Sequence, residues 1–241
     1  MRRSILTAAL LLPALLLLGR PGPLAALEDG PVVVELFTSQ GCSSCPPADA
    51  YIGELADREG VLALSFHVRL WDYIGWPDPF ASVEAGERQR AYGESLGLRF
   101  IYTPQMVVDG RNSASSRGAI EAMLAEATSR PRIPVSMRAR EGSTVIGLPA
   151  AEGYREAVVW VVFFDREHET RVPRGENRGR TIRNFNVVRE IRRIGTWSGE
   201  AAEIVVPVAD AAEAGRDGCI VLVQEGGSGP VIGAARLMLD G

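Results

Sequence analysis

Two cysteines separated by two serines are the residues of this chain whose type and spacing most directly suggest chemistry. Cys42 and Cys45 follow the apolar run Val32–Phe37 and precede Pro46-Pro47, which predicts a buried strand before them and a helix after them. Two intervening residues allow the sulfurs to close a small ring, and a helix N-terminus favours a thiolate at the first cysteine. Cys42 is therefore predicted to be an exposed nucleophile, and Cys45 the thiol that resolves a mixed disulfide. A static disulfide that braces a turn is the alternative.

The other cysteine and the histidines do not suggest a metal centre or a disulfide scaffold. The chain has three cysteines, the third being Cys219, and two isolated histidines, His67 and His168. A zinc site or a stapled scaffold would need more of these residues, so we expect no metal and no cofactor. A copper(I) site of Cys42, Cys45 and His67 stays open as a further alternative, because thiolates are soft ligands. We expect Cys219 to be a buried thiol.

The elements that position the cysteine pair can be predicted for residues 30–130. The order is strand, helix, strand, helix, strand, strand, helix. The first helix opens at Pro46 and ends before Gly60, because proline suits a first turn and glycine a helix end. Asp109-Gly110 is a two-residue hairpin signal. Ser116 is predicted to cap the last helix of this part.

From Pro131 onward the pattern changes to short strands separated by turn residues. Such spacing is typical of a β-sandwich, so we predict an α/β domain over residues 30–130 and a mostly-β, sandwich-like domain over residues 131–241. The candidate strands of the second part are Val135–Arg140, Thr144–Leu148, Ala157–Phe164, Thr181–Val188, Ile204–Val208, Ile220–Gln224 and Val231–Leu239.

The N-terminus has the pattern of a secretory signal. Arg2 and Arg3 precede an apolar stretch, Ile5–Leu18, and small residues follow up to Ala26. We predict that residues 1–26 are a signal peptide and that the protein is periplasmic or secreted. The apolar stretch is shorter than the roughly 20 residues that span a bilayer, so only an uncleaved signal would attach the chain to a membrane. The net charge of −4 argues against nucleic-acid binding.

The order of elements around the cysteine pair resembles the thioredoxin fold over residues 30–130. Thr103-Pro104 lies just before the third strand, where that fold places a cis-proline facing the disulfide. The resemblance implies that Pro104 shapes the substrate groove and that the backbone of Thr103 pairs with an extended substrate. It also implies that Glu35 is the buried acid that relays a proton to the resolving thiol. A carboxylate that points into water is the equal alternative for Glu35.

More narrowly, the chain resembles a family of bacterial exported thioredoxin-like proteins of unknown function. One departure is Arg69-Leu70, where the family is expected to have an acidic-aromatic pair. The Arg would change the charge near the cysteine site. The matching segments are Glu35–Asp49 around the Cys-Ser-Ser-Cys motif, Trp71–Trp76, Tyr102–Val108, Arg174–Arg180 and Asn186–Val188.

Two other segments have more than one interpretation. The aromatic loop Trp71–Phe80 either lines a substrate groove, with Trp71 and Trp76 binding a client, or packs against the second domain. Residues 165–193 hold nine Arg and five acidic residues. That excess suits an anionic partner, or a solvated hairpin with alternating charges.

Three functions fit the residues. The leading hypothesis is a thiol–disulfide oxidoreductase that acts on protein or small thiol and disulfide substrates in the periplasm and depends on an external redox partner. The second is a non-catalytic binding or assembly protein of the same fold, in which the disulfide is structural. The third is copper(I) delivery.

Overall fold

The computed structural model describes residues 30–154 and 156–239. The predicted signal peptide lies outside the described residues. Within the described part, no helix is both long and apolar enough to cross a membrane. A 3₁₀ helix covers Arg69–Ile74. The strands and longer helices are β1 (Val32–Thr38), α1 (Pro46–Ala56), β2 (Val61–His67), α2 (Val83–Ser95), β3 (Gln105–Val108), β4 (Asn112–Ala114), α3 (Arg117–Ala127), β5 (Ser136–Arg140), β6 (Ser143–Leu148), β7 (Ala157–Arg171), β8 (Thr181–Trp197), β9 (Ala202–Pro207), α4 (Ala209–Glu213), β10 (Gly218–Glu225) and β11 (Val231–Met238).

The local signals in the first part of the chain correctly located its elements. Helix α1 begins at Pro46. Asp109 and Gly110 both have positive φ, 48° and 64°, and they lie in the turn between β3 and β4, which also includes Arg111. The side chain of Ser116 accepts a hydrogen bond from the Ala119 N–H at the start of α3. Each of these features is determined by a few adjacent residues, so the local sequence pattern was sufficient to predict it.

The fold is mixed α/β and is built on one large sheet. Its strand order is β11-β10-β7-β8-β2-β1-β3-β4, so it is open at both ends and does not close into a barrel. Strand β1 pairs with β2 in parallel and with β3 antiparallel. The sheet continues from β2 into β8, where Ser65 and Val187 are in register. Strands from both predicted parts therefore share one sheet, a continuity that the sequence pattern did not predict.

The two faces of β1 pack against different helices, because successive side chains of a strand point to opposite faces. Val34 and Leu36 lie in a buried cluster with residues of α1 and α3. Val33 and Phe37 lie in a second cluster, which includes Tyr92 of α2. Glu35 lies midway between Val33 and Phe37, so its side chain points to the same face as theirs, toward α2.

The C-terminal half forms a second layer and a long hairpin. The three-stranded sheet β5-β6-β9 packs on the large sheet through a buried cluster that includes Ile146 and Val161. Strands β7 and β8 are far longer than predicted, because they continue past their apolar segments into charged, alternating sequence. The turn of this hairpin, residues 172–180, extends to the loop that carries the cysteines.

Candidate functional site

The two predicted redox cysteines form a disulfide at the start of α1. Cys42 and Cys45 are bonded with a Cα–Cα distance of 5.4 Å, and Cys45 is the residue that directly precedes the helix. Cys42, however, is only 1% exposed and Cys45 is fully buried. The prediction of an exposed nucleophile at Cys42 is therefore wrong for this structure, although the intervening Ser43 and Ser44 are exposed.

The turn of the β7–β8 hairpin covers the disulfide loop. Asn177 is fully buried, and its Nδ2 donates hydrogen bonds to the carbonyl oxygens of Gln40 at 2.9 Å and Cys42 at 2.8 Å. The Ser43 N–H donates to a carboxylate oxygen of Glu176 at 3.3 Å. The hairpin turn thus supplies hydrogen-bond partners for backbone groups that would otherwise bond to water. It packs on the loop that contains Cys42, the cysteine that was expected to be exposed.

The two tryptophans of the aromatic loop contact the residues that precede Cys42. Trp76 Nε1 donates to the side-chain oxygen of Gln40 at 3.1 Å, and the side chain of Trp76 lies against Gly175 of the hairpin turn. A Cβ at Gly41 would lie 2.9 Å from the Cβ of Trp71, so a larger residue at this position would displace the loop. Trp76 therefore makes a packing contact with the second half of the chain.

Trp71 connects the cysteine loop to the predicted substrate-binding residues. Its Nε1 donates to Thr103 Oγ1 at 2.7 Å, and the Thr103–Pro104 peptide bond is cis. Trp71 also stacks on Tyr73, with ring centroids 6.4 Å apart, and Tyr73 is 78% exposed. The structure thus brings Trp71 and Thr103 together beside Gly41.

Glu35 is buried, but it does not serve the cysteines. Its two carboxylate oxygens accept hydrogen bonds from Arg88 at 2.6 and 3.0 Å, and it also accepts one from the hydroxyl of Tyr92. Both partners lie on α2, and Glu35 shares the strand face of Val33 and Phe37, opposite α1. The alternative of a carboxylate in water is excluded, and Glu35 forms a buried ion pair with Arg88.

A different carboxyl group, Asp49, lies in the first turn of α1, the helix that Cys45 precedes. It is 1% exposed, and its Oδ1 accepts a hydrogen bond from Thr38 Oγ1 at 2.8 Å. Its Oδ2 is buried and has no hydrogen-bond partner among the residues that the structure describes. Burial raises the pKa of Asp49 to about 7, although the charge of His67 and the Thr38 hydrogen bond oppose the shift.

His67 and Asp78 form a buried pair next to Asp49. His67 Nδ1 lies 2.7 Å from Asp78 Oδ2, and both side chains have no exposed surface. Burial lowers the pKa of His67, but Asp78 and Asp49 together outweigh this effect and the net pKa is raised. Burial raises the pKa of Asp78, and His67 with two backbone N–H donors reverses this to a net decrease. The pair therefore favours the imidazolium and the carboxylate.

Gln40 connects this pair to the disulfide loop. Its N–H donates to Asp78 at 2.8 Å, and its side chain donates to Asn184 of β8 at 3.0 Å. Its carbonyl oxygen accepts from Asn177. The buried polar residues therefore form one connected network beside the cysteines. In residues 30–154 and 156–239, no group of three or more His, Cys, Asp and Glu side chains is arranged to hold a metal ion.

Three residues of this network were not singled out by the sequence pattern. Asp49 carries a recognisable signal, because it lies four residues after Cys45 among the buried residues Ala48 and Ile52, where an acid is unusual. Asp78 lies between two prolines and Asn177 in a glycine-rich turn. Neither position has a local signal, because the partners of both residues are distant in sequence.

Comparison with known proteins identifies the family. A crystal structure of a protein from Agrobacterium tumefaciens, determined by a structural genomics consortium, is 32% identical, and the match covers 88% of this chain and 96% of that chain with a TM-score of 0.75. HBP35 of Porphyromonas gingivalis is similar in fold at 16% identity and a TM-score of 0.58, over 88% of this chain and 76% of that one. No match was found among curated proteins. The model of a protein family of unknown function, DUF1223, matches residues 33–224, and the chain belongs to this family.

Proposed function

We propose that the chain is an exported, thioredoxin-like thiol–disulfide oxidoreductase that acts through Cys42 and Cys45. The observation that carries the proposal is the position of the disulfide, which closes directly before α1 and directly after the loop that follows β1. The order β1-α1-β2-α2-β3-β4-α3 supports the thioredoxin-like part of the proposal.

The position suits thiol–disulfide exchange for an electrostatic reason. The aligned peptide dipoles of α1 give its N-terminal end a partial positive charge, which stabilises a nearby thiolate, although Pro46 and Pro47 contribute no N–H there. A substrate thiolate would attack Cys42 and form a mixed disulfide, with Cys45 leaving as the thiolate. In the reverse direction Cys45 attacks the sulfur of Cys42 and releases the substrate thiol. The substrates would be proteins or small thiols and disulfides, and an external partner would restore the starting redox state.

The burial of Cys42 favours a second candidate, a binding or assembly protein in which the disulfide is structural. At 1% exposure, Cys42 is reached only if the residues that cover it move away. In this second function the disulfide would hold the loop that Asn177 and Trp76 contact, and the exposed aromatic residues such as Tyr73 would bind the partner.

The reduction potential and the rate of exchange separate the two functions. Thioredoxin has a potential of about −270 mV and the strongest periplasmic oxidant about −120 mV, whereas structural disulfides lie below about −300 mV. Equilibration of the mature protein with glutathione or dithiothreitol gives this value. A potential between about −270 and about −120 mV, with the protein still folded when reduced, supports the oxidoreductase. If the disulfide resists reduction, or if the chain unfolds on reduction, the oxidoreductase is rejected and the binding or assembly protein is supported.

Variants of single cysteines complete the test. Cys42→Ser should abolish exchange and leave the fold intact if the pair is catalytic, and should lower the stability if the disulfide is a brace. Cys219→Ser is the matched control, because Cys219 is buried and outside the disulfide. Export is tested separately, by expressing the full chain in a bacterium and determining the N-terminal residue and the cell fraction of the product.

A further inference from the structure

The turn of the β7–β8 hairpin concentrates positive charge on the loop that carries the disulfide. Residues 172–180 contain three arginines and one acidic residue, Glu176, in a chain whose net charge is −4. Arg174, Arg178 and Arg180 are all exposed. Among the residues that the structure describes, none of the three forms a salt bridge. Their charges are therefore available to an anionic molecule.

The hydrogen bonds of this turn bring its positive charge close to the cysteines. Asn177 Nδ2 donates to the Cys42 carbonyl oxygen at 2.8 Å, and Arg180 Nη1 donates to Asn177 Oδ1 at 3.2 Å. One side-chain amide thus connects the Arg180 guanidinium to the backbone of Cys42. Arg178 follows Asn177 directly in sequence. Positive charge at this position attracts an anionic reactant to the disulfide, most strongly at low ionic strength.

A groove next to the disulfide continues from the same arginine. It has a volume of about 570 Å³ and lies between α1 and the start of β8. Pro46 and Gly53 line it from α1, and Arg180 and Ile182 line it from the hairpin. Pro46 directly follows Cys45, so one end of the groove adjoins the disulfide. The helix rises roughly 10 Å from Pro46 to Gly53, which is the length of about three extended residues.

The acidic residues around the groove are engaged or distant from the disulfide. Glu54 lines the groove, but its carboxylate is paired with Arg117 at 2.6 Å. Asp57 follows the last residue of α1, at the end away from the cysteines. The carboxylate of Glu176 accepts a hydrogen bond from the Ser43 N–H at 3.3 Å, and this contact is exposed. It is longer than the usual range of about 2.7–3.2 Å, so an incoming carboxylate can displace Glu176.

We infer that the substrate class of this site is an acidic peptide thiol, with carboxylates next to the reacting cysteine. The inference rests on the proposed function and deepens it, because it adds the chemistry that selects the substrate. The substrate carboxylates pair with Arg178 and Arg180. One of them also replaces Glu176 as the acceptor of the Ser43 N–H, which lies next to the cysteine that is attacked.

The exchange that follows balances in electrons and protons. The peptide thiolate attacks Cys42, a mixed disulfide forms and Cys45 leaves as a thiolate. A second peptide thiolate attacks the peptide sulfur of the mixed disulfide and releases Cys42. Two peptide thiols are thereby oxidised to one peptide disulfide, and the protein disulfide is reduced. The two protons that the peptide thiols give to the solvent equal the two that the protein thiolates take up.

Two tripeptides that differ only in charge test the inference. N-acetylated and C-amidated Glu-Cys-Glu has two carboxylates, and Gln-Cys-Gln has none. Each is mixed in excess with the oxidised protein, and the rate of reduction is followed by thiol trapping and expressed per concentration of peptide thiolate. The ratio of the two rates is the readout, because both peptides need the same opening of the buried disulfide. In the wild type the acidic peptide should react about five-fold faster at low salt. This advantage should disappear at about 1 M salt, which screens exposed charges.

Variants of the turn should shift this ratio in opposite directions. Arg178→Gln combined with Arg180→Gln should lower it to about one, because the carboxylates lose their partners. Glu176→Gln should raise it, because the competing carboxylate is removed. A mere loosening of the turn accelerates both peptides and leaves the ratio unchanged. The control is Arg90→Gln combined with Arg140→Gln, which removes the same charge from exposed positions of α2 and β5 and should keep the wild-type ratio.

The outcomes separate the inference from the proposed function. A wild-type ratio near one at low salt, or a wild-type ratio in the variant without Arg178 and Arg180, overturns the inference and leaves the oxidoreductase in place. If neither peptide nor dithiothreitol reduces the disulfide of the folded protein, the proposed function is rejected and the inference fails with it. The salt dependence of the wild-type ratio decides the inference if the double variant does not fold.

Discussion

Asn177 and Cys42 are 135 positions apart in sequence, yet the Asn177 side chain donates a hydrogen bond to the Cys42 carbonyl oxygen at 2.8 Å. The same nitrogen donates to the carbonyl of Gln40 at 2.9 Å, so one amide clamps both ends of the segment before the disulfide. The clamp attaches the turn of the β7–β8 hairpin to the cysteine loop, in which Cys42 is buried. We therefore expect access to the disulfide to depend on this contact.

Weakening this clamp should make the disulfide easier to reduce. Asn177→Asp removes the donor and places a carboxylate against two carbonyl oxygens. Leaving buried groups unsatisfied costs about 1–3 kcal/mol, and about 1.4 kcal/mol corresponds to a ten-fold change in the open population. We expect dithiothreitol to reduce the Cys42–Cys45 disulfide about ten-fold faster in this variant, as followed by thiol trapping with time.

The control for this experiment is Asn186→Asp. Asn186 is likewise a buried amide, but it lies in β8 and donates to the Ala63 carbonyl of β2 at 2.8 Å rather than to the cysteine loop. The Asn186→Asp variant should lower the stability to a similar degree and leave the rate of reduction unchanged. Equal acceleration by both variants would show that general loosening, rather than the clamp, controls access.

The sequence predicted what neighbouring residues determine and missed what distant residues determine. The start of α1 at Pro46 and the turn at Asp109-Gly110 are properties of a few adjacent residues, and both were predicted correctly. The join between the two halves of the sheet depends on β2 pairing with β8, which a short apolar run does not specify. The ends of β7 and β8 lie beyond their apolar runs and are rich in charged residues, so their length was underestimated.

The same division applies to the site. Cysteine spacing identified the disulfide, and the cis bond at Pro104 agrees with its position before β3. The cysteine loop is held by Asn177, far along the chain, and Glu35 is paired with Arg88, 53 positions away. A residue alone in an apolar strand does not reveal its partner, so the role of Glu35 was inferred from resemblance, and its ion pair with Arg88 was not predicted.

The Glu35–Arg88 pair should stabilise the fold only while both partners are present. Their side chains are 1% and 6% exposed, so Arg88→Met leaves an unpaired buried carboxylate, which costs about 3–5 kcal/mol. The double variant Glu35→Leu, Arg88→Met removes both charges and should recover most of this loss. Urea denaturation curves measure the free energy of unfolding of each variant. A double variant as unstable as Arg88→Met would contradict the explanation.

Cys219 should be unreactive while the protein is folded. It is fully buried, and burial raises the pKa of its thiol to about 11, so very little of the reactive thiolate exists at neutral pH. The oxidised native protein should release no nitrothiobenzoate from dithiobis(nitrobenzoate) over minutes, and the denatured oxidised protein one equivalent. Cys219→Ser should abolish that equivalent. Rapid release from the native protein would contradict the burial of this thiol.

Asp49 should lower the stability of the folded protein above neutral pH. Its folded-state pKa is about 7 and its ordinary value 3.8, so between these values the unfolded chain loses the proton while the folded chain keeps it. The unfolded state then binds fewer protons, and the contribution of Asp49 to the free energy of unfolding falls as the pH rises through this window. The loss is complete above pH 7 and amounts to about 4 kcal/mol at most, at about 1.4 kcal/mol for each pKa unit.

Asp49→Asn removes this penalty and keeps an oxygen that can accept the Thr38 hydrogen bond. We therefore expect the variant to gain about 1–3 kcal/mol relative to the wild type when the pH is raised from 4.5 to 8, because the lost attraction to His67 offsets part of the benefit. Urea denaturation of both proteins at the two pH values measures the difference. Asp57→Asn at the exposed end of α1 should show no such dependence. A stability difference for Asp49→Asn that is the same at both pH values would mean that Asp49 is ionised throughout.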